Sequence, residues 1–133
     1  MLFLPDTNAC SHFMRGHPVL IETWIRHAPS IRLSALVVAE LEYGAVKSGS
    51  AKQQRRVTEL TSTLPFEPFC REDTLNYARL RSHLEGKGQM IGPIDTLIAA
   101  QALRLGATVV THNLTEFKRV PRLKVVDWQA PSA

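Results

Sequence analysis

Residues 91–111, IGPIDTLIAAQALRLGATVVT, decide the fold. Pro93 stands where a helix begins, since its missing N–H is a donor that a first helical turn leaves unused anyway. Gly106 stands where the chain leaves a helix through a left-handed residue. Between them Ile94, Leu97, Ile98, Gln101, Ala102 and Leu105 fall on one stripe at 100° per residue. The spacing predicts a helix from Pro93 to Leu105. The β-branched run Ala107 to Thr111 (ATVVT), reached across a short turn, predicts a strand.

The same alternation extends towards both ends. Met1 to Pro5 is a short apolar run closed by Asp6-Thr7-Asn8, and reads as strand, turn, helix. Pro18 to His27 carries Leu20, Ile21, Trp24 and Ile25 at helical spacing, and Ile31 to Ser34 is a second strand. Ser34 caps a helix reaching Lys47; Gly49-Ser50 breaks it before a further helix, Ala51 to Leu64. Pro65 to Phe69 predicts a strand edge, Asp73 to Gly86 an amphipathic helix, and Leu123 to Val126 a last strand after the basic link Lys118 to Arg122. Strands alternating with helices predict an α/β domain with a parallel sheet, whose ligand crevice lies beyond the carboxyl ends of the strands. Asp6 follows the first strand, and Asn113 and Glu116 follow the strand at 107–111.

The chain has 133 residues, 44% hydrophobic and 21% charged, with no internal repeat or low-complexity tract, which predicts one globular domain spanning residues 1–133. Lys plus Arg is 16 against 12 for Asp plus Glu, a net charge of +4 that favours a polyanionic partner. The longest apolar stretches, such as Leu33 to Ala39, fall short of the ~20 residues needed to cross a bilayer, and the N-terminus has no basic signal region. A cytoplasmic chain with no membrane partner is expected. Cys10 and Cys70 form neither a disulfide framework nor a CxxC motif and read as small buried hydrophobes. The histidines lack HExxH or paired spacing, which argues against zinc; His112 reads as a surface residue at a strand end, and Trp24 and Trp128 as core anchors.

Two acids stand out. Asp95 lies in the first turn of its helix at the border of the apolar stripe, where it either complements the helix dipole or serves a site. Glu40 and Glu42 share an apolar stretch, and periodicity does not choose between them; an acid there needs a partner, because burying an unpaired carboxylate costs several kcal/mol. Hard divalent cations take oxygen ligands. A basic surface with an acidic strand-end cluster therefore points to metal-assisted phosphodiester chemistry.

Four motifs then carry a family resemblance. Asp6-Thr7-Asn8 after the first strand, Ala39-Glu40-Leu41-Glu42-Tyr43-Gly44, Ile91 to Ala100 (IGPIDTLIAA), and Thr111-His112-Asn113 followed by Glu116-Phe117 resemble, in order, the PIN-domain ribonucleases of the VapC toxin type. The resemblance implies a PIN-like three-layer α/β/α domain and a metal-dependent endoribonuclease, the toxin of a type II toxin–antitoxin pair, using Mg²⁺ or Mn²⁺. Asp6, Asp95 and Glu40 match the family's metal ligands; Glu116 joins them as the fourth catalytic residue, with Asn8, Thr111 and Asn113 in support. Many PIN domains have Asp where this chain has Asn113, and Pro5 replaces the usual apolar residue before Asp6. Lys118, Arg119 and Arg122 are expected to contact RNA phosphates. The tail, Phe117 to Pro121 with Leu123 and Asp127-Trp128, resembles the group that cleaves initiator tRNA in its anticodon loop. A VapB-type antitoxin and a homodimer are the implied partners. The competing readings are a non-catalytic nucleic-acid- or partner-binding α/β domain and a phosphatase-like phosphoryl-transfer enzyme; against the latter, Asn8 stands where a second Asp would be expected.

Overall fold

The computed structural model describes residues 1–130, so the last three residues of the expected domain lie outside it. Chain order is β1 (Phe3–Pro5), α1 (Thr7–Met14), α2 (Pro18–His27), β2 (Leu33–Ser34), α3 (Ala35–Ser48), α4 (Ala51–Thr63), β3 (Phe66–Glu67), α5 (Arg71–Gly86), α6 (Pro93–Leu105), β4 (Thr108–Val110), α7 (Leu114–Phe117) and β5 (Lys124–Val126). All strand pairs are parallel, and the helices complete a three-layer α/β/α arrangement. The elements expected from the sequence form within a few residues of their predicted bounds. The short α7, between β4 and the basic link, is an element that the sequence pattern does not predict.

Helix α6 begins and ends as Pro93 and Gly106 dictate, with Gly106 left-handed at φ 64°. Its buried face is shifted from the predicted stripe: Thr96, Ala99 and Ala100 are inside with Ile98, Gln101 and Ala102, whereas Ile94, Leu97 and Leu105 are only half-buried. The shift follows from its neighbours, because α6 is packed against α5, α3 and β4 at once, and alanines admit that close approach.

Strands β1, β4 and β5 form one ladder, with Leu4 opposite Val109 and Val109 opposite Val125. Strands β2 and β3 form a second, joined to the first by a single bridge between Phe3 and Ile31, which sets the order β3-β2-β1-β4-β5. Pro5 explains why the junction is so short. The N–H of Asp6 donates to Val110 O at 2.9 Å, so even-numbered residues of β1 face β4; Phe3 accepts from Arg32 N at 3.0 Å, so odd-numbered ones face β2. The donor that Pro5 lacks would have pointed towards β2.

Side chains reinforce the short ladder that holds β3. Gln101 Nε2 donates to the carbonyls of Glu67 and Pro68 at 3.2 and 3.1 Å. Arg104 donates to Asp73 Oδ1 at 2.6 Å and to Glu67 Oε2 at 3.2 Å, and Arg32 reaches Glu67 Oε1 at 2.8 Å. Asp73 is fully buried and also accepts from Cys70 N at 2.8 Å. Cys70 is thereby corrected: it is a half-buried helix cap and not a core residue, because Asp73 needs its backbone N–H, whereas Cys10 is fully buried as expected. Trp24 and Trp128 are core residues, with Trp128 against Phe3 at 5.0 Å and stacked on His27 at 5.3 Å.

Burial alone would raise the Asp73 carboxyl, but Arg104 and the Cys70 N–H more than offset it and hold the group below the ordinary carboxylate range. Its contribution to stability is therefore present at neutral pH and is lost as pH falls through that depressed value. Arg104→Ala should cost about 3 kcal/mol by leaving a buried carboxylate without its partner. Thermal melts should show a deficit at pH 7 that narrows in strong acid, where Asp73 is protonated in both proteins.

Candidate active site

The strand order reverses at β1: the chain first builds β2 on one side of it and later returns with β4 on the other. Such a switch point opens a crevice beyond the carboxyl ends of the strands. Asp6, the residue after β1, is 5% exposed and caps α1, its Oδ1 accepting from Ala9 N at 2.8 Å. Thr111, the residue after β4, is also buried; its hydroxyl accepts from Asn113 N at 2.9 Å, and its nearness eases the charge on Asp6. Backbone and cap together fix Asp6 at the crevice floor.

Three other elements bring the remaining acids. Asp95 enters from the first turn of α6, and Gly92 before it leaves room: a Cβ there would come to 3.4 Å from Asp95 Oδ2. Glu40 is half-buried on α3 while Glu42 is exposed, which separates the two acids that periodicity could not. Glu116 is half-buried on α7. Burial first, then the fields of Asp6, Glu116 and Glu40, push the Asp95 carboxyl up to about 6. Burial also raises Asp6; Thr111, Ala9 and the field of His12 ease this, and the field of Asp127 adds to it. Beneath Asp6 the buried Cys10 thiol is pushed far upward by desolvation and by that carboxylate, which keeps it protonated and inert.

The sequence reading missed two members of the surroundings. Asp127 follows β5 as Asp6 follows β1, and the strand-end rule that selected Asp6 would have selected it too. Its Oδ1 accepts from Gln129 N at 2.8 Å and its Oδ2 lies 2.9 Å from Nδ1 of the exposed His112. On α1, His12 has its pKa lowered first by burial and then by the charges of Arg15, His17 and His112, against the pull of Asp6. The expected supporting and RNA-contacting residues are more dispersed. Asn8 and Asn113 are exposed, and Asn113 precedes α7 without a side-chain cap bond. Lys118 and Arg122 are exposed, but Arg119 is half-buried and donates to Met90 O at 2.9 Å, tying α7 to the loop before α6.

Among the described residues, none of Asp6, Glu40, Asp95 and Glu116 is ion-paired with Lys, Arg or His. Nor do three His, Cys, Asp or Glu side chains among them already stand in a coordinating arrangement, so the four share a field without forming a finished coordination sphere. An all-oxygen donor set with uncompensated negative charge fits a hard divalent cation.

Comparison with known proteins agrees with this geometry. The PIN domain family model matches residues 3–123. Ribonuclease VapC2 of Rickettsia felis is 38% identical over 133 residues, covering 96% of this chain and 98% of that protein. The tRNA(fMet)-specific endonuclease VapC of Salmonella typhimurium is 33% identical over 128 residues, covering 95% and 97%. A chain in the crystal structure of VapBC2 from Rickettsia felis, bound to a promoter DNA fragment, superposes with a TM-score of 0.90 at 36% identity, covering 96% of this chain and 99% of that one.

Crowded acids should cost stability. Asp95 is raised in the fold from its ordinary 3.8 to about 6, so folding favours its neutral form. The stabilisation is present below pH 4 and lost as pH rises through 6. Allowing for its partial exposure, the cost at neutral pH is about 1 kcal/mol. Asp95→Asn should therefore melt a few degrees above the parent at pH 7 in chelator, with the gap closing near pH 4.

Proposed function

This chain belongs to the PIN-domain family, and from that premise we propose that it is a VapC-type endoribonuclease toxin whose acidic crevice holds Mg²⁺ or Mn²⁺ and hydrolyses RNA. The observation that carries the reading is the field on Asp95: three carboxylates from three other elements converge on a fourth, with no cationic side chain paired to any of them among the described residues. Asp6, Asp95 and Glu40 would hold the cation, which when bound supplies Lewis acidity at a phosphoryl oxygen and lowers the pKa of water.

The protein's own groups supply placement. The bond from Ala9 N holds Asp6 Oδ1, which restrains the carboxylate at the end of β1. Glu116 sits at the rim and orients water or accepts its proton, with Asn113 as a neutral neighbour. Water oxygen attacks phosphorus while the bond to the 3′ oxygen breaks, leaving a 5′-phosphate and a 3′-hydroxyl. Lys118 and Arg122 reach flanking phosphates; Arg119, occupied in part by Met90, acts chiefly by holding the rim together. Likeness to a tRNA(fMet)-specific endonuclease supports initiator tRNA as the substrate.

No helix among the described residues is long and apolar enough to cross a membrane, and the reading places the chain in the cytoplasm as one domain over residues 1–133. Tyr43 and Val46 on α3 are 62% and 70% exposed; apolar side chains left in water there support pairing with a second copy. The likeness to a VapBC complex supports a VapB-type antitoxin as the other partner.

Cleavage of an initiator-tRNA transcript should require Mg²⁺ or Mn²⁺ and stop with chelator. Asp95→Asn should lower the rate by more than about 100-fold, while Glu42→Gln stays within about twofold. Reversal, with Glu42 needed and Glu40→Gln active, would put the wrong acid of α3 in the site.

The same uncompensated charge should attract an arginine from the antitoxin, whose planar fork takes two carboxylate oxygens at once. RNase assays on the co-expressed complex should show inhibition, relieved by replacing basic residues of the antitoxin's C-terminal segment one at a time. Inhibition that survives loss of every such Arg and Lys would rule the charge insertion out.

A further inference from the structure

A second concavity lies away from the acids, where α5 and the end of α6 meet the link between α7 and β5. It has a volume of about 740 Å³, within the ordinary range for a ligand site. Leu80, Leu103 and Pro121 give its lining an apolar part, and Asn76, Arg79, His83 and Arg122 a polar one that forms its rim; no carboxylate is among them. The rim donors are unspent. Arg81, on the same helix, is paired with Glu85 and Tyr77, whereas Arg79, His83 and Arg122 have no side-chain hydrogen bond or ion pair among the described residues. Arg122 also has φ 67°, a left-handed conformation that a branched or long side chain adopts at a cost. The chain bears that strain at the residue that completes the rim.

Position connects the groove to the crevice. Leu103 is eight residues beyond Asp95 on α6, which is about 12 Å along the helix axis. The link Lys118 to Arg122 leads from Glu116 to the groove and carries three of its five residues as Lys or Arg. An apolar lining suits the face of a base, and unpaired guanidinium groups suit phosphates.

We propose that this groove is a second RNA subsite that holds one nucleotide of the strand being cut, base on Leu80, Leu103 and Pro121, phosphates on Arg79 and Arg122. The proposal rests on the ribonuclease reading and extends it to how the substrate is gripped outside the reacting phosphate. A protein partner or a second copy of the chain would need acids to match this rim; RNA brings a phosphate at every step.

The test measures binding of an initiator-tRNA transcript to the full-length Asp95→Asn protein, which keeps the RNA intact, across a salt titration. Arg79→Gln and Arg122→Asn are compared singly and together, asparagine being chosen because it accepts the left-handed conformation. The double variant should bind roughly tenfold more weakly, and the slope of log affinity against log salt should shrink by about 1.4 to 1.8, as expected for two lost phosphate contacts. Lys52→Gln with Arg55→Gln, an equal loss of charge on α4, should leave the slope as it was. An unchanged slope in the groove variants, or an equal change in the α4 pair, overturns the subsite, and so does a change of oligomeric mass without a change of slope. Cleavage by the parent protein is assayed in parallel: its absence strikes the nuclease reading, whereas the salt slope strikes the groove alone.

Discussion

A parallel sheet sends the carboxyl end of every strand to the same edge, and most of what this molecule can do depends on that constraint. Asp6, Thr111 and Asp127 are each the first residue after a strand, so three separate stretches of sequence deliver polar groups to one rim without any of them being close in the chain. Helix α6 returns between strands, which puts its first turn, with Asp95, at the same edge as the strand ends. The helix N-terminus favours a carboxylate there, yet burial and then the neighbouring acids disfavour it more, and the balance is a group raised to about 6. The site is thus a place where the fold works against itself locally and is held by the core elsewhere.

That core explains why the strain is tolerated. The acids sit on elements anchored by well-packed residues within three positions of them: Leu4 before Asp6, Leu41 after Glu40, Ile98 after Asp95 and Phe117 after Glu116, all of them buried. Each carboxylate can repel its neighbours without moving far, because moving would pull an apolar neighbour out of the interior. Burying a leucine or phenylalanine side chain contributes about 2 kcal/mol, comparable to the cost of holding one carboxylate unpaired at a partly solvated rim.

Much of this was legible in the sequence, for identifiable reasons. Pro93 and Gly106 bound α6 because each has a backbone restriction that only one end of a helix satisfies. Asp6 and Asp95 could be picked out because strand ends and helix starts are local signals. Glu40 could not be told from Glu42 by periodicity, since apolar residues surround both; the family motif chose between them, and the half-burial of one against the exposure of the other accords with that choice. Asp73 and Arg104 stayed hidden because their pairing joins two helices whose packing the sequence does not print. Cys70 differs from the reading for a related reason: its backbone N–H meets Asp73 and its thiol donates to Glu72, both at the start of α5.

Pro5 has a further effect through the sheet it interrupts. On one side of β1 the backbone ladder runs unbroken to β5; on the other, a single bridge leads to the two-residue β2–β3 ladder, and side-chain bonds from Gln101, Arg104 and Arg32 reinforce it. Backbone pairing responds little to proton or salt concentration, whereas ion pairs respond to both. The two halves of the sheet are therefore fastened by different chemistry, and cooperative unfolding has a seam. Amide exchange therefore crosses into β2 and β3 before it reaches β1 and β4.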